Sequence, residues 1–217
     1  MAPKRTTVRS DIGYRVLAAI VSGLIRPFVR IELARMELAR TENGIVICNH
    51  RSMMDVAVGL VAFRRLGRYP RLAVAGEYFT RTPFRWALRV AGAIAVDREN
   101  PKGTVRRVAE VVNSGTPVVI LAEGKLHVDP ADPTTTGSFK TGAARIAYDS
   151  NLPIWPIALA GTDQVWPPHR PLPHLLPRRT VRLLGSSRLF WMDGDAAADT
   201  ARLRAEVEAL LIELAKV

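Results

Sequence analysis

Cysteine is almost absent: Cys48 is the only one in 217 residues, which excludes an internal disulfide and a cysteine-rich zinc site and fits a reducing cytoplasm. Long apolar runs are missing too. No stretch reaches the roughly 18 consecutive apolar residues that read as a membrane-spanning helix. Carboxylates are in short supply, 20 Asp and Glu against 31 Lys and Arg, and the net charge of +11 comes mostly from arginine. That balance favours anionic partners: a lipid surface, an acidic carrier protein, a phosphate-bearing substrate or nucleic acid. C2H2 spacing, RNP-type aromatics and a basic zipper are all lacking, so no nucleic-acid partner is expected. Asp129 and Asp132 flank Pro130 near His127, a turn pattern rather than a metal site, and His169 and His174 have no nearby carboxylates, so no metal is expected. Internal repeats and linker-like segments are also missing, and a chain of this length is expected to build one core.

Apolar stretches alternate with helical patterns. Ile45 to Cys48, Leu72 to Ala75, Ile94 to Val96, Val118 to Ala122, Ile154 to Ala160 and Thr180 to Leu184 read as strands. Pro83 to Ala91, Pro101 to Asn113, Lys140 to Asp149 and the tail from Ala196 read as helices. This alternation indicates an α/β domain. Thr82 with Pro83, and Asn100 with Pro101, supply caps and first helical positions, and Gly92 a stop. Trp166 to Pro177 is proline-rich and reads as a loop or lid. Arg81, Arg85 and Arg89 form a basic stripe, either a solvated face or a contact for a carrier protein or anionic lipid.

Residues 1–30 are expected to be a separate N-terminal amphipathic segment, followed by the main domain at 31–217. Ile12, Val16, Leu17, Ile20, Val21 and Leu24 recur at helical spacing, with Arg15, Ser22 and Arg26 set apart. This helix, ending near Pro27, is either interfacial or packed on its own domain. A signal peptide would begin similarly, but no small-residue cleavage site precedes Arg26.

The densest chemistry is Asn49-His50-Arg51-Ser52-Met53-Met54-Asp55, directly after the apolar Ile45 to Cys48. Positions five apart lie about 140° from each other on a helix, so His50 must sit before the helix for Asp55 to reach it. Ser52 is the expected N-cap, with Asp55 at N3 of a capping box. A carboxylate there fixes the imidazole tautomer and stabilises the imidazolium formed on proton abstraction. Cys48 beside His50 raises a Cys-His nucleophilic dyad, but a small residue ending an apolar run reads as packing. Gly92-Ala93-Ile94-Ala95-Val96-Asp97-Arg98, Ala122-Glu123-Gly124-Lys125 and Leu152-Pro153-Ile154-Trp155-Pro156-Ile157 follow in order, each at the edge of an apolar run.

This ordered set, from about Ile45 to Gly161, resembles the glycerolipid acyltransferase family, whose best known members act on 1-acylglycerol-3-phosphate. N-H-x-S-x-x-D and G-x-I-x-V-D-R match best. The resemblance implies a single-domain mixed sheet flanked by helices, His50 as general base, Asp55 as its orienting carboxylate, and an acceptor site that includes Arg98, Glu123 and Gly124; Asn49, Ser52, Asp97 and Lys125 are further candidates for substrate binding. Two departures concern phosphate binding. Where the family commonly has F-P-E-G-T-R this chain has Leu121-Ala122-Glu123-Gly124-Lys125-Leu126, and a lysine common in an A-K motif is replaced at Ala75-Gly76. Lys125 or Arg98 could compensate, although an ammonium replaces a bidentate fork only in part.

The expected reaction is acyl transfer from acyl carrier protein or coenzyme A to a hydroxyl on a lysophospholipid-like acceptor, without a bound cofactor. Backbone amides at the start of the helix after His50 are expected to face the oxyanion. An amine acceptor and a non-catalytic lipid-binding protein stay open as alternatives; the latter has no need of the His50/Asp55 pair. The expected location is the cytoplasmic face of a membrane, held peripherally by an anionic surface.

Overall fold

The computed structural model describes residues 5–80, 84–97 and 99–216. Seven strands form one sheet: β1 (Val29–Ala34), β2 (Ile45–Cys48), β3 (Arg71–Ala75), β4 (Ile94–Val96), β5 (Val118–Leu121), β6 (Ile154–Ala160) and β7 (Arg179–Gly185), in the order β1-β7-β6-β2-β5-β3-β4. Only β6 and β7 pair antiparallel; the other neighbours are parallel. This is the mixed sheet expected. Its helices are α1 (Arg5–Ile25), α2 (Glu37–Thr41), α3 (Met54–Arg65), α4 (Phe84–Val90), α5 (Pro101–Asn113), α6 (Gly142–Ser150), α7 (Thr162–Val165) and α8 (Ala196–Ala215).

Helices cover both faces, which is why β2 is apolar throughout and fully buried. The pleat sends alternate side chains to opposite faces. Ile45, Ile47 and Ile154 join Val108 of α5, Ala144 of α6 and Leu211 of α8. Val46, Trp155 and Ile157 join Val58 and Phe63 of α3 and Ile25 of α1.

Four expected elements, β2, β4, β6 and α5, have the bounds read from the sequence. Asn100 caps α5 by accepting from Gly103 N–H at 2.9 Å, with Pro101 following. Gly92, at φ 68°, ends α4 as Ala93 N–H turns back to Leu88 O at 2.8 Å. The expected cap Thr82 and first position Pro83, and Arg81 of the basic stripe, lie outside the described residues; Arg85 and Arg89 are exposed.

Unforeseen elements are β1, the short α2 and α7, and a 3-10 turn at Gly76–Phe79. Strand β1 forms because the edge of β7 offers it a parallel partner, Val29 opposite Arg179 through Ala34 opposite Leu184. A boundary at residue 30 therefore falls inside a strand. Helix α1 also packs on the body, with Tyr14, Ala18 and Ile25 buried. Its start is pinned beside β3, where Asp11 pairs with Arg71 at 2.6 Å and Arg15 lies 4.5 Å from the centre of the Tyr69 ring. Its end leads into β1 at the edge where β2 and β6 finish. The apolar residues read as one stripe are thus divided: Leu17 and Val21 are half-buried, while Ile12, Val16, Ile20 and Leu24 are each more than half exposed.

Leu211 on α8 is 2% exposed and Ile212 beside it 47%. Truncating Leu211 to Ala should lose about 2–5 kcal/mol in urea unfolding, whereas Ile212→Ala should stay within about 0.5 kcal/mol of the parent.

Candidate active site

Strands β2 and β5 run side by side in parallel and end at the same edge, and the loops beyond them carry the chemistry. Past Cys48 the pairing of β2 with β6 is prolonged by a side chain. Asn49 donates Nδ2–H to Leu159 O at 2.9 Å and accepts from Leu159 N–H at 2.8 Å. His50 follows at the rim, its side chain 13% exposed, with Nδ1 2.8 Å from Asp55 Oδ2. The same oxygen accepts the N–H groups of Arg51 at 2.7 Å and Ser52 at 2.9 Å. One carboxylate oxygen therefore shapes the loop and holds the imidazole.

Helix α3 starts later than expected. Met53 is the N-cap by position, so Ser52 lies one residue upstream and Asp55 falls at N2. The carboxylate half of the capping box survives, because Asp55 still bonds the Ser52 N–H. The hydroxyl half is rearranged: Ser52 Oγ accepts from Met54 N–H at 3.0 Å and donates to Trp166 O at 2.6 Å. The oxyanion donors change with it. Arg51 and Ser52 N–H bind Asp55, and Met54 and Asp55 N–H bind Ser52. In that stretch only the Met53 amide donates to none of the described residues.

The backbone around His50 is held from the β5 side. Glu123, fully buried, accepts His50 N–H on Oε1 at 2.8 Å and Gly137 N–H on Oε2 at 2.9 Å. His127 N–H closes on His50 O at 2.8 Å. Burial pushes the Glu123 carboxyl above the usual carboxylate range, opposed by the two backbone donors and by His127 and His50. Arg51, 3% exposed, donates Nη2–H to Pro133 O and, at 3.1 Å, to Thr135 O, fastening the loop after Lys125 to the turn that carries His50. In that loop Asp129 accepts from Ala131 N–H and Asp132 from Thr134, the turn expected of them.

Of the residues expected at the site, His50, Asp55 and Glu123 converge. Asn49 and Ser52 are both fully buried with their polar side-chain atoms engaged, so they shape the turn rather than present a surface to substrate. Asp97 is exposed, and its Oδ1 accepts from Glu99 and Asn100 N–H in the turn leading into α5. Arg98 lies outside the described residues. Gly124 makes a left-handed turn at φ 66°, which turns the chain after Glu123 and leaves Lys125 exposed beyond it. Cys48 is buried, and desolvation together with the Asp55 and Glu123 carboxylates pushes its thiol pKa up, against a nucleophilic role. Among the described residues no cluster of three metal-ligating side chains occurs.

An apolar cavity of about 350 Å³ lies under α1, α3 and α4 and escaped the sequence reading. Cys48, Met53 and Asp55 bound it at the active-site edge, and Tyr14 and Pro70 line it toward the opposite edge. Its only sequence signal is a second apolar side on α3, Val56 and Leu60, which a one-sided helix would not need.

A histidine with Nδ1 held by a carboxylate keeps Nε2 as its basic atom. Its partner Asp55 lines the apolar cavity, so the pair is a candidate general-base site beside a space that suits a long apolar chain. The acyltransferase family profile matches residues 30–160, and the chain belongs to that family. It is 34% identical over 156 residues to a 1-acyl-sn-glycerol-3-phosphate acyltransferase of Pseudomonas aeruginosa, covering 70% of this chain and 55% of that one. It is 26% identical over 183 residues to the chloroplastic enzyme BAT2 of the same description from Brassica napus, covering 82% of this chain and 50% of that one. The chain thus spans about half the length of these relatives. The crystal structure of the 1-acyl-sn-glycerophosphate acyltransferase PlsC from Thermotoga maritima shares the fold, with a TM-score of 0.69 at 17% identity over 99% of this chain and 84% of that one.

Replacing Glu123 by Gln puts an amide donor where two backbone N–H groups need acceptors. Glu123→Gln should lower stability by about 1–3 kcal/mol and, by unseating His50, reduce turnover more than its loss of folded protein explains. Denaturant unfolding alongside kcat measured on the folded fraction checks both.

Proposed function

We propose that the protein transfers a fatty acyl group from a thioester, acyl carrier protein or coenzyme A, to a hydroxyl of a lysophospholipid-like acceptor, with 1-acylglycerol-3-phosphate the first acceptor to test. The observation that carries this reading is the His50–Asp55 pair at 2.8 Å on the rim of an apolar cavity of about 350 Å³. The relatives' descriptions support the acceptor class.

In this mechanism His50 Nε2 takes the acceptor hydroxyl proton as the oxygen attacks the thioester carbonyl. Asp55, already accepting Nδ1–H, stabilises the imidazolium. The tetrahedral intermediate collapses with cleavage of the C–S bond, and the imidazolium returns its proton to the departing thiolate. No acyl-enzyme forms. The Met53 N–H, free at the start of α3, is the amide left to face the oxyanion, where the helix end favours negative charge. The acyl chain occupies the cavity below. Arg98 and Lys125 take the acceptor's anionic group, and Glu123 and Gly124 set the path of the loop that carries Lys125.

Among the described residues no helix is long and apolar enough to cross a membrane. We place the protein peripherally on the cytoplasmic face. Ile12, Val16, Ile20 and Leu24 of α1 and Trp86 of α4 are exposed beside Arg85 and Arg89, an apolar and basic face suited to anionic lipid.

Mass spectrometry of lipids and small metabolites after incubation with acyl thioesters tests the reaction without presupposing the acceptor. His50→Ala should lower transfer by at least about 10²–10⁴-fold with the fold retained, and Asp55→Asn should be severely impaired as well. Near-normal turnover by folded His50→Ala protein would end this mechanism, and acylation of amines alone would replace the hydroxyl acceptor with a nitrogen. For the anionic group, Lys125→Ala should raise the KM for lysophosphatidate markedly and leave that for the thioester nearly unchanged. Equal KM values in parent and variant would remove Lys125 from the acceptor site.

A further inference from the structure

Between α7 and β7, Trp166 packs against the core, but the segment that follows it, Pro167 to Arg178, is exposed at most positions. Leu172, Leu175 and Leu176 are 73%, 57% and 81% exposed, an unusual density of solvated leucine for one loop. Its charge is of one sign: Arg170 and Arg178 lie within it, Arg179 follows, and no Asp or Glu occurs between Asp163 and Asp193.

Both ends of the loop are tied to the active site and to α1. Trp166 O accepts the Ser52 hydroxyl at 2.6 Å, and Trp166 lines the apolar cavity. At the other end Arg179 N–H bonds Phe28 O at 2.9 Å, just beyond the end of α1. The loop therefore bridges the catalytic turn and the end of α1. Leu24 and Met53, on the elements at its two ends, are exposed too.

We propose that this loop inserts its leucines into an anionic lipid surface, as a second membrane contact besides α1, and so sets the cavity mouth against the membrane from which a lipid acceptor arrives. The proposal rests on the peripheral-membrane reading above. Lipid suits the backbone as well as the side chains. Five of the residues from Pro167 to Pro177 are proline and bring no N–H to desolvate, and the N–H groups of Arg170 and His174 are already bonded to Pro167 O and Val165 O. The arginines flank the leucines at the level of lipid phosphates. An acidic carrier protein would also meet these arginines, but three widely exposed leucines on a loop are better matched by a fluid apolar phase that needs no shape complementarity.

The experiment uses the full chain and vesicles of phosphatidylcholine with and without phosphatidylglycerol. A triple substitution of Leu172, Leu175 and Leu176 to Ser should weaken binding to anionic vesicles by about tenfold or more. Its turnover of a water-soluble short-chain acceptor without vesicles should stay within about twofold of the parent. With Cys48 buried, a polarity-sensitive dye on Leu176→Cys should shift to the blue on anionic vesicles. Unchanged vesicle affinity and no dye shift, with binding lost on Ile20→Ser/Leu24→Ser, would overturn the loop's role and leave the peripheral reading in place. Failure of the parent protein to bind any vesicle would remove both. Intact vesicle binding with a raised KM for acyl carrier protein alone would assign the leucines to the carrier and overturn the lipid proposal.

Discussion

Asp55 Oδ2 accepts three hydrogen bonds, from His50 Nδ1 and from the N–H groups of Arg51 and Ser52, within 2.7–2.9 Å. A buried carboxylate is tolerable only when donors meet it, and here three donors from the turn it must shape converge on one oxygen, while Oδ1 is buried with no partner among the described residues. The same contact that starts α3 points the imidazole and selects its tautomer. Helix start and imidazole position are therefore coupled at one atom: a loop that failed to close around Asp55 would lose both together.

The rest of the site stiffens that turn from outside. Glu123 reaches across from β5 to the His50 N–H, Asn49 stitches the end of β2 to β6, and Arg51 binds carbonyls in the loop after Lys125. Each is a polar or charged group buried at the sheet's edge, where packing alone would leave the chain free to move. The parallel run of β2 beside β5 makes this possible, since it delivers His50 and Glu123 to the same edge.

The two faces of the sheet are used differently. The side covered by α5, α6 and α8 is a packed core around Ile45, Ile47 and Leu211. The side covered by α1, α3 and α4 keeps an apolar space of about 350 Å³. Interiors ordinarily fill such space, and this one ends beside Asp55. Helix α1 roofs it with Tyr14, Leu17 and Val21 and turns a second apolar side outward.

Short-range chemistry was legible in the sequence. The apolar runs of β2, β4 and β6, the Asn100-Pro101 start of α5 and the Gly92 stop of α4 depend on neighbours within a turn, and the His50/Asp55 contact spans five residues. The long-range contacts were decided by tertiary structure. Strand β1 exists only because β7 offers an edge. Asn49 and Ser52 look like reactive motif residues in sequence, but Leu159 and Trp166, more than a hundred positions away, occupy their polar atoms. The cavity belongs to no segment, since it is the space left when α1, α3 and α4 settle over the sheet. Local pattern determines what each segment can become and which histidine meets which carboxylate, because those contacts lie within a few residues; only packing determines which polar groups stay unengaged and where an apolar space is left, because those depend on residues far apart in the chain.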